Sequence, residues 1–326
     1  MTSAPSAIAS RALASSSAGR DELVVFLLML AALVVLPLTG VVYPFFLMQA
    51  LCFALFACAF NLLIGYVGLL SFGHAMFLGM GGYVGAHAAK VWGLTPELAL
   101  LCGLLSAAVL GVGVGLLAIR RQGIYFAMTT LALAQMVYFF CLQAPFTHGE
   151  DGIQGVPQGR LFGLIDLSKP MSLYFTVLAV FVLAFGLIHR IVNSPFGDIL
   201  KAIRENEPRA ISLGYKTDRY KLMAFVLSAS LAGLAGALKA IVAQNASLTD
   251  VHWTMSGEVV LMTLVGGLGT IFGPVVGAFI IVAMQQYLAQ FGQWVTVIQG
   301  VIFVACVLAF RRGIVGEIGH ALKRSL

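Results

Sequence analysis

Along the chain, long apolar runs alternate with short polar breaks, and the runs recur at a length close to twenty residues. Residues 23–38, 45–63 and 171–188 are the clearest of them. A helix needs about 20 apolar residues to cross the hydrocarbon core of a bilayer. Read this way, the pattern predicts spans over 23–42, 45–64, 71–89, 98–119, 124–142, 172–191, 220–242, 257–269, 273–290 and 294–310. Backbone groups in lipid must satisfy one another, so the expected form is an all-α polytopic membrane helix bundle of about ten segments. Glycines interrupt the third and eighth spans, and the eighth is too short to cross as a regular helix.

The breaks are of two kinds. Most are tight turns, but an outer loop over 143–170 carries Glu150 and Asp151, and a charged loop occupies 193–219. The expected organisation is a tail over 1–22, one transmembrane domain over 23–313 that includes the 193–219 loop, and a second tail over 314–326. The Ser- and Ala-rich start, with Arg11 and Arg20, is read as a tail before a retained first helix, since no small-x-small cleavage site follows the apolar run.

Composition strengthens the membrane reading. Hydrophobic residues make up 60% of 326 positions, charged residues 10%, and the mean hydropathy is +0.98. A soluble domain carries about a quarter charged residues. The net charge of +6 does not point to nucleic acid, because its distribution has a membrane explanation. With a cytoplasmic N-terminus and ten crossings, the cytoplasmic segments hold 15 of the 19 Lys and Arg, counting the flanking Arg190 and Lys221. Lys90, Arg160 and Lys169 fall outside, and Lys239 lies near the outer end of its span. This is the bias of the positive-inside rule, and it puts both termini in the cytoplasm. The five cysteines all lie in apolar runs without ligand spacing, so neither a disulfide framework, a metal site nor a cofactor is expected.

The 193–219 loop has a form of its own. Ser194 and Pro195 suit a helix start. Ile199, Ala202, Ile203, Ala210 and Leu213 recur at helical spacing, and Gly214 suits a stop. One amphipathic helix is therefore predicted over 199–213. Such a helix can lie on the membrane, link two spans, or dock into a groove on a partner. The glycines also admit two readings. Gly81 and Gly85 have the small-xxx-small spacing of close helix packing. Alternatively, the glycine-rich stretches around Gly65–Gly85 and Gly266–Gly277, one in each half of the chain, interrupt helices along a path through the bundle. Within the spans, Gln135 is costly toward lipid and should face another helix or a path, whereas Thr129 and Thr130 can bond back to their own helix. There is no GxxxxGK[ST] phosphate loop, no paired carboxylate and no nucleophile elbow, so this chain is not expected to be an enzyme.

The residues of three segments carry a resemblance. They are Asn61-Leu62-Leu63-Ile64-Gly65-Tyr66-Val67-Gly68 through Ser71-Phe72-Gly73-His74, then Ser194-Pro195-Phe196-Gly197 through Ala202-Ile203-Arg204-Glu205-Asn206-Glu207 and Leu213-Gly214, then Gly266-Gly267-Leu268-Gly269-Thr270 into Gly273-Pro274. From about residue 45 to Gly313 the chain resembles the permeases of branched-chain amino acid ABC importers, and among them the larger, LivM-type subunit. The resemblance implies a type II-like importer architecture, of the kind related to ribose and vitamin B12 permeases. It implies a second homologous permease, two ATPase subunits and a solute-binding protein as partners, in the bacterial inner membrane, with ATP hydrolysed on the partner subunits. It implies that Ala202, Ile203, Arg204, Glu205, Asn206 and Gly214 belong to the loop gripped by the ATPase. Ser71, His74, Gly79, Gln135, Gly266, Gly267 and Gly269 are the expected residues of the translocation path. Branched-chain amino acids are the expected solute; urea, short amides or other small solutes on the same machinery, and a stand-alone secondary transporter, are the alternatives.

Overall fold

The computed structural model describes residues 24–40, 42–292, 294–309 and 313–321. Ten apolar helices stand where the ten spans are predicted. They are α1 (Val24–Val35), α2 (Pro44–Ile64), α3 (His74–Lys90), α4 (Pro96–Ala118), α5 (Ile124–Gln143), α6 (Pro170–Val192), α9 (Thr217–Ala243), α10 (Trp253–Gly266), α11 (Gly273–Leu288) and α12 (Trp294–Ala309), with α7 (Pro195–Glu205) and α8 (Glu207–Ser212) between α6 and α9, and α13 (Gly313–Ala321) at the end. By length and composition, α2, α4, α5, α6 and α9 are each able to cross a bilayer. Pro44, Pro96 and Pro170 open three of these, each at a position where a missing N–H costs nothing.

Burial grades the helices. α2 is enclosed almost throughout by α6, α9, α10 and α11, while α4 and α5 leave most of their apolar surface outward. Outward-facing leucines and valines are costly in water but natural against lipid, and α4 shows a full row: Leu98, Leu101, Leu105 and Val109.

The tightest packing joins α3, α4 and α9, and glycine makes it possible. A Cβ at Gly81 would fall on the Gly233 backbone, and one at Gly236 on the Leu78 carbonyl. Gly103 and Ala107 of α4 close the third side against Ala237 and Gly233. The packing reading therefore holds for the glycines inside α3, which runs unbroken through Gly79, Gly81, Gly82 and Gly85. The interruption reading holds for their neighbours: Gly65, Gly68 and Gly73 lie in the break before α3, and Gly267 and Gly269 in the break after α10.

The loops sort into two ends. At one, Arg204 reaches the Gly65 carbonyl, Gln122 Nε2 donates to Glu207 at 3.1 Å, and Gly313 abuts Gly267. This end gathers 65–70, 120–123, 193–216 and 267–272; the charge count predicts basic-side segments at 65–70, 120–123, 192–219 and 270–272. At the other, Lys90 Nζ donates to the Gln154 carbonyl at 2.6 Å. Here β1 (Ile153–Gln154) pairs antiparallel with β4 (Asn245–Ala246), and β2 (Arg160–Leu161) with β3 (Ile165–Asp166).

The charged loop departs from the single helix predicted over 199–213. It forms two helices, split at Asn206, whose backbone is extended at φ −157°, ψ 91°. Pro208 explains the split. In a continuous helix it would remove the bond to the Arg204 carbonyl and clash with it. The chain breaks two residues before it, and Asn206 Oδ1 accepts the Arg209 N–H at 3.1 Å to cap the new helix.

Candidate functional site

At the basic end, one buried side chain fastens the last turn of α2, just before the first break, to the second break. Asn61, in the last turn of α2, donates from Nδ2 to the Thr270 carbonyl at 2.9 Å and accepts the Gly269 N–H on Oδ1 at 3.1 Å. Nothing larger than glycine fits beside it at 65, where a Cβ would meet Asn61 itself. Gly267 and Gly269 have φ of 127° and 75°, values that L side chains rarely adopt, so this turn needs its glycines. Arg204 then joins the charged loop to both breaks. Its stem lies on Gly68, its guanidinium donates to the Gly65 carbonyl, and Gly269 sits against the same group. Glu207 is held from the bundle side by Lys221 Nζ at 2.5 Å.

The two faces of this loop differ. Leu200, Ile203 and Ala210 are buried against the bundle. Ala202, Glu205 and Asn206 face outward, and so do Ile211 at 55% exposure and Leu213 at 68%, followed by Gly214 at φ 90° and the half-exposed Tyr215. The predicted stripe of 199, 202, 203, 210 and 213 is thus divided: Ile203 and Ala210 turn inward, Ala202 and Leu213 outward, and Ile199 lies between.

Deeper in the bundle, two helices begin inside the protein. The 17 residues of α3 and the 14 of α10 give lengths of about 25 and 21 Å, short of a hydrocarbon core of about 30 Å. Their starts touch, the Ala75 N–H donating to Ser256 Oγ at 2.9 Å. Ser71 accepts the Gly73 N–H at 3.3 Å in the approach to α3, and the Phe72 N–H donates to Thr130 Oγ1 at 3.2 Å. His74 is wholly buried, edge-on to Phe60, Phe77 and Phe225. Its Nε2 lies 2.8 Å from Ser228 Oγ, whose hydroxyl donates to the Ala59 carbonyl at 2.5 Å. That hydroxyl has one proton, already committed, so Nε2 carries the hydrogen of the His74–Ser228 bond. Gly79 lies against Val251.

Beside these helix starts opens a cleft of about 590 Å³ lined by Leu69, Leu70, Phe72, Met128, Leu131 and Trp253, among others. Gln135 is half-exposed one turn farther along the α5 face that carries Met128 and Leu131, and it has no hydrogen bond among the described residues. Gly266 is packed on Gly273 at the far end of α10. The predicted residues therefore fall in three places. Ser71, His74 and Gly79 surround the start of α3, Gly266, Gly267 and Gly269 form the turn at the basic end, and Gln135 stands apart on α5.

Two groups escaped sequence reasoning. Lys239 and Asp250 form an ion pair inside the bundle, with Lys239 Nζ also 5.2 Å from the Phe53 ring centre. The 244–252 segment folds inward to deliver Asp250, which its position between two spans does not reveal; Lys239, alone in an apolar Gly- and Ala-rich run, is the signal that was available. Glu258 accepts a bond from Gln285 Nε2 of α11 at 2.9 Å.

Lipid-exposed helices, two interior helix breaks and a charged loop fastened to both define a polytopic membrane transport protein. The family model for the permease component of branched-chain amino acid transport systems matches residues 42–308, and the chain belongs to that family. The chain is 29% identical over 287 residues to the high-affinity branched-chain amino acid transport system permease protein LivM of Salmonella typhimurium, covering 81% of this chain and 67% of that one. A probable branched-chain amino acid transport permease protein LivH of Methanocaldococcus jannaschii is 26% identical, covering 78% and 86%. The ribose import permease protein RbsC of Bacillus subtilis is 31% identical, covering 75% and 81%. No solved structure matches the chain.

Proposed function

We propose that this chain carries branched-chain amino acids across the bacterial inner membrane as one of two homologous permeases, driven by two ATPase subunits and supplied by a solute-binding protein. In this reading the basic end is cytoplasmic, with both termini there. The ATPase docks on the outward face of α7 and α8, through Ala202, Ile211, Leu213 and Tyr215. The observation that carries the reading is Arg204, which ties that docking face to both helix breaks, so that movement of the loop reaches Gly65 and Gly269 through direct contacts. The cleft beside α5 and Trp253 is the path wall, and its apolar lining favours a branched apolar side chain over the hydroxyls of a sugar. Gln135 faces the solute, the Gly267–Gly269 turn moves with the loop, and Ser71, His74, Gly79 and Gly266 hold the frame behind.

The test is uptake into proteoliposomes of the assembled importer, with a panel of branched-chain amino acids, ribose and urea. Leucine, isoleucine or valine uptake that depends on ATP is expected; transport of ribose or urea alone overturns the solute assignment. Ala202→Trp should leave the protein inserted yet lower ATP-driven uptake several-fold, because overpacking a fitted contact typically costs about 1–3 kcal/mol. Wild-type uptake by that variant would reduce the loop to a linker.

A further inference from the structure

The hairpin of β2 and β3 projects its most apolar side chains away from the protein. Phe162 is 72% exposed and Leu164 88%, the largest exposure among the hydrophobic residues of the outer end, with Ile165 beside them. Phe162 also has φ of 49°, a conformation that bulky residues rarely adopt, and Gly163 follows at 72°. The bonds from Gly163 N to the Arg160 carbonyl at 3.5 Å and from Leu164 N to the Leu161 carbonyl at 3.0 Å close this turn. A residue order with glycine first would relax the backbone; here the aromatic ring stands at the strained position and is displayed.

The place of the hairpin says what the display meets. Gly159 lies on Pro96, the first residue of α4, and the Phe162 N–H donates to Glu97 Oε2 at 3.4 Å. The tip therefore sits at the outer mouth of the helix whose row of Leu98, Leu101, Leu105 and Val109 faces outward. Val91 and Trp92, both exposed, adjoin the same mouth from the end of α3. Arg160 and Lys169 stand at the root of the hairpin, and Asp166 opposite Arg160 is tied to the Ser168 N–H at 3.0 Å, which holds its carboxyl below the usual range. Aromatic and aliphatic tips beside cations form the pattern of residues that settle at the headgroup boundary.

We infer that the 160–166 hairpin is a membrane-surface anchor, with Phe162, Leu164 and Trp92 set into the outer leaflet boundary and Arg160 and Lys169 at its phosphates. The surface is continuous with the lipid-facing row of α4, which is why a bilayer, rather than a protein partner, is the occupant. The anchor fixes the outer end of α4 and, through β3, the start of α6 at one depth.

The test places a nitroxide on Leu164→Cys in the complete importer reconstituted in phosphatidylglycerol and phosphatidylethanolamine bilayers, with the unsubstituted chain carried through labelling as background. Collision with oxygen should exceed collision with a water-soluble nickel chelate several-fold, and a label on Ser168→Cys should show the reverse. Adding Phe162→Gly, which suits the backbone, should move the Leu164 label toward the chelate. A Leu164 label that meets the chelate more than oxygen overturns the inference, because the hairpin is then in water. A label shielded from both reagents overturns it too, because a protein partner then covers the tip.

Discussion

Replacing Asn61 with leucine removes the side chain that ties the end of α2 to the break after α10, with the heavy-atom count unchanged. Two bonds are lost, to the Thr270 carbonyl at 2.9 Å and from the Gly269 N–H at 3.1 Å. Leucine offers neither partner, so one backbone donor and one acceptor are stranded. A fully buried orphan costs about 1–3 kcal/mol. Gly269 and Thr270 are only partly buried, which places each at the lower end, and the pair sums to about 2 kcal/mol. At roughly 2–4 °C per kcal/mol for a chain of this order, the melting midpoint should fall by about 5 °C. Tryptophan fluorescence of the protein in nanodiscs, followed against temperature, reads the midpoint through Trp92, Trp253 and Trp294. A local measurement separates the clamp from a general weakening: Leu268→Cys, on the exposed tip of the turn, should react faster with a maleimide when Asn61 is leucine. A midpoint within about 1 °C of wild type together with an unchanged labelling rate would refute the clamp, leaving Arg204 and the Thr270 hydroxyl to hold the turn alone.

Three other outcomes are expected. Gly236→Ala should lower the midpoint by several degrees, since a methyl there meets the Leu78 carbonyl and overpacking costs about 1–3 kcal/mol, whereas Gly113→Ala on open α4 surface should leave it unchanged or raise it. Lys239→Met should destabilise strongly, by about 3–5 kcal/mol, and adding Asp250→Leu should restore most of the loss, because one stranded charge is worse than none; equal midpoints for the single and double variants would sink this account. Gln135→Leu should fold with a wild-type midpoint and change uptake, while Ser71→Leu should lower the midpoint at a wholly buried site; wild-type uptake by the Gln135 variant would remove it from the path.

Which parts of this structure could be read in advance follows from what each signal depends on. Span positions depend on local apolarity, and all ten helices stand where the runs lie. The sorting of loops between two ends depends on charge counting, and the contacts at 65, 122, 204, 269 and 313 gather the same segments. The helix split at Asn206 was also local, since Pro208 forbids the longer helix, but a periodic apolar stripe outweighed it. What lay beyond a single sequence was pairing at a distance. Asn61 sits in a long apolar run, and nothing near it announces partners more than 200 positions away. The same holds for His74, whose aromatic enclosure comes from α2, α3 and α9. The short helices at the bundle's middle were visible as glycine interruptions, yet whether a given glycine packs or breaks was decided only by its neighbour across the interface.

The seam between α3, α4 and α9 has a meaning for how this sequence can drift. Where backbone rests on backbone, no change elsewhere creates room, because the obstacle at Gly81 and Gly236 is main chain that every variant shares. Such positions admit a single residue type regardless of background. On the outward row of α4, by contrast, leucine, valine, isoleucine and phenylalanine are nearly interchangeable. Two alleles of this protein should therefore differ freely along one side of α4 and scarcely at all along the other, with the boundary running down a single helix.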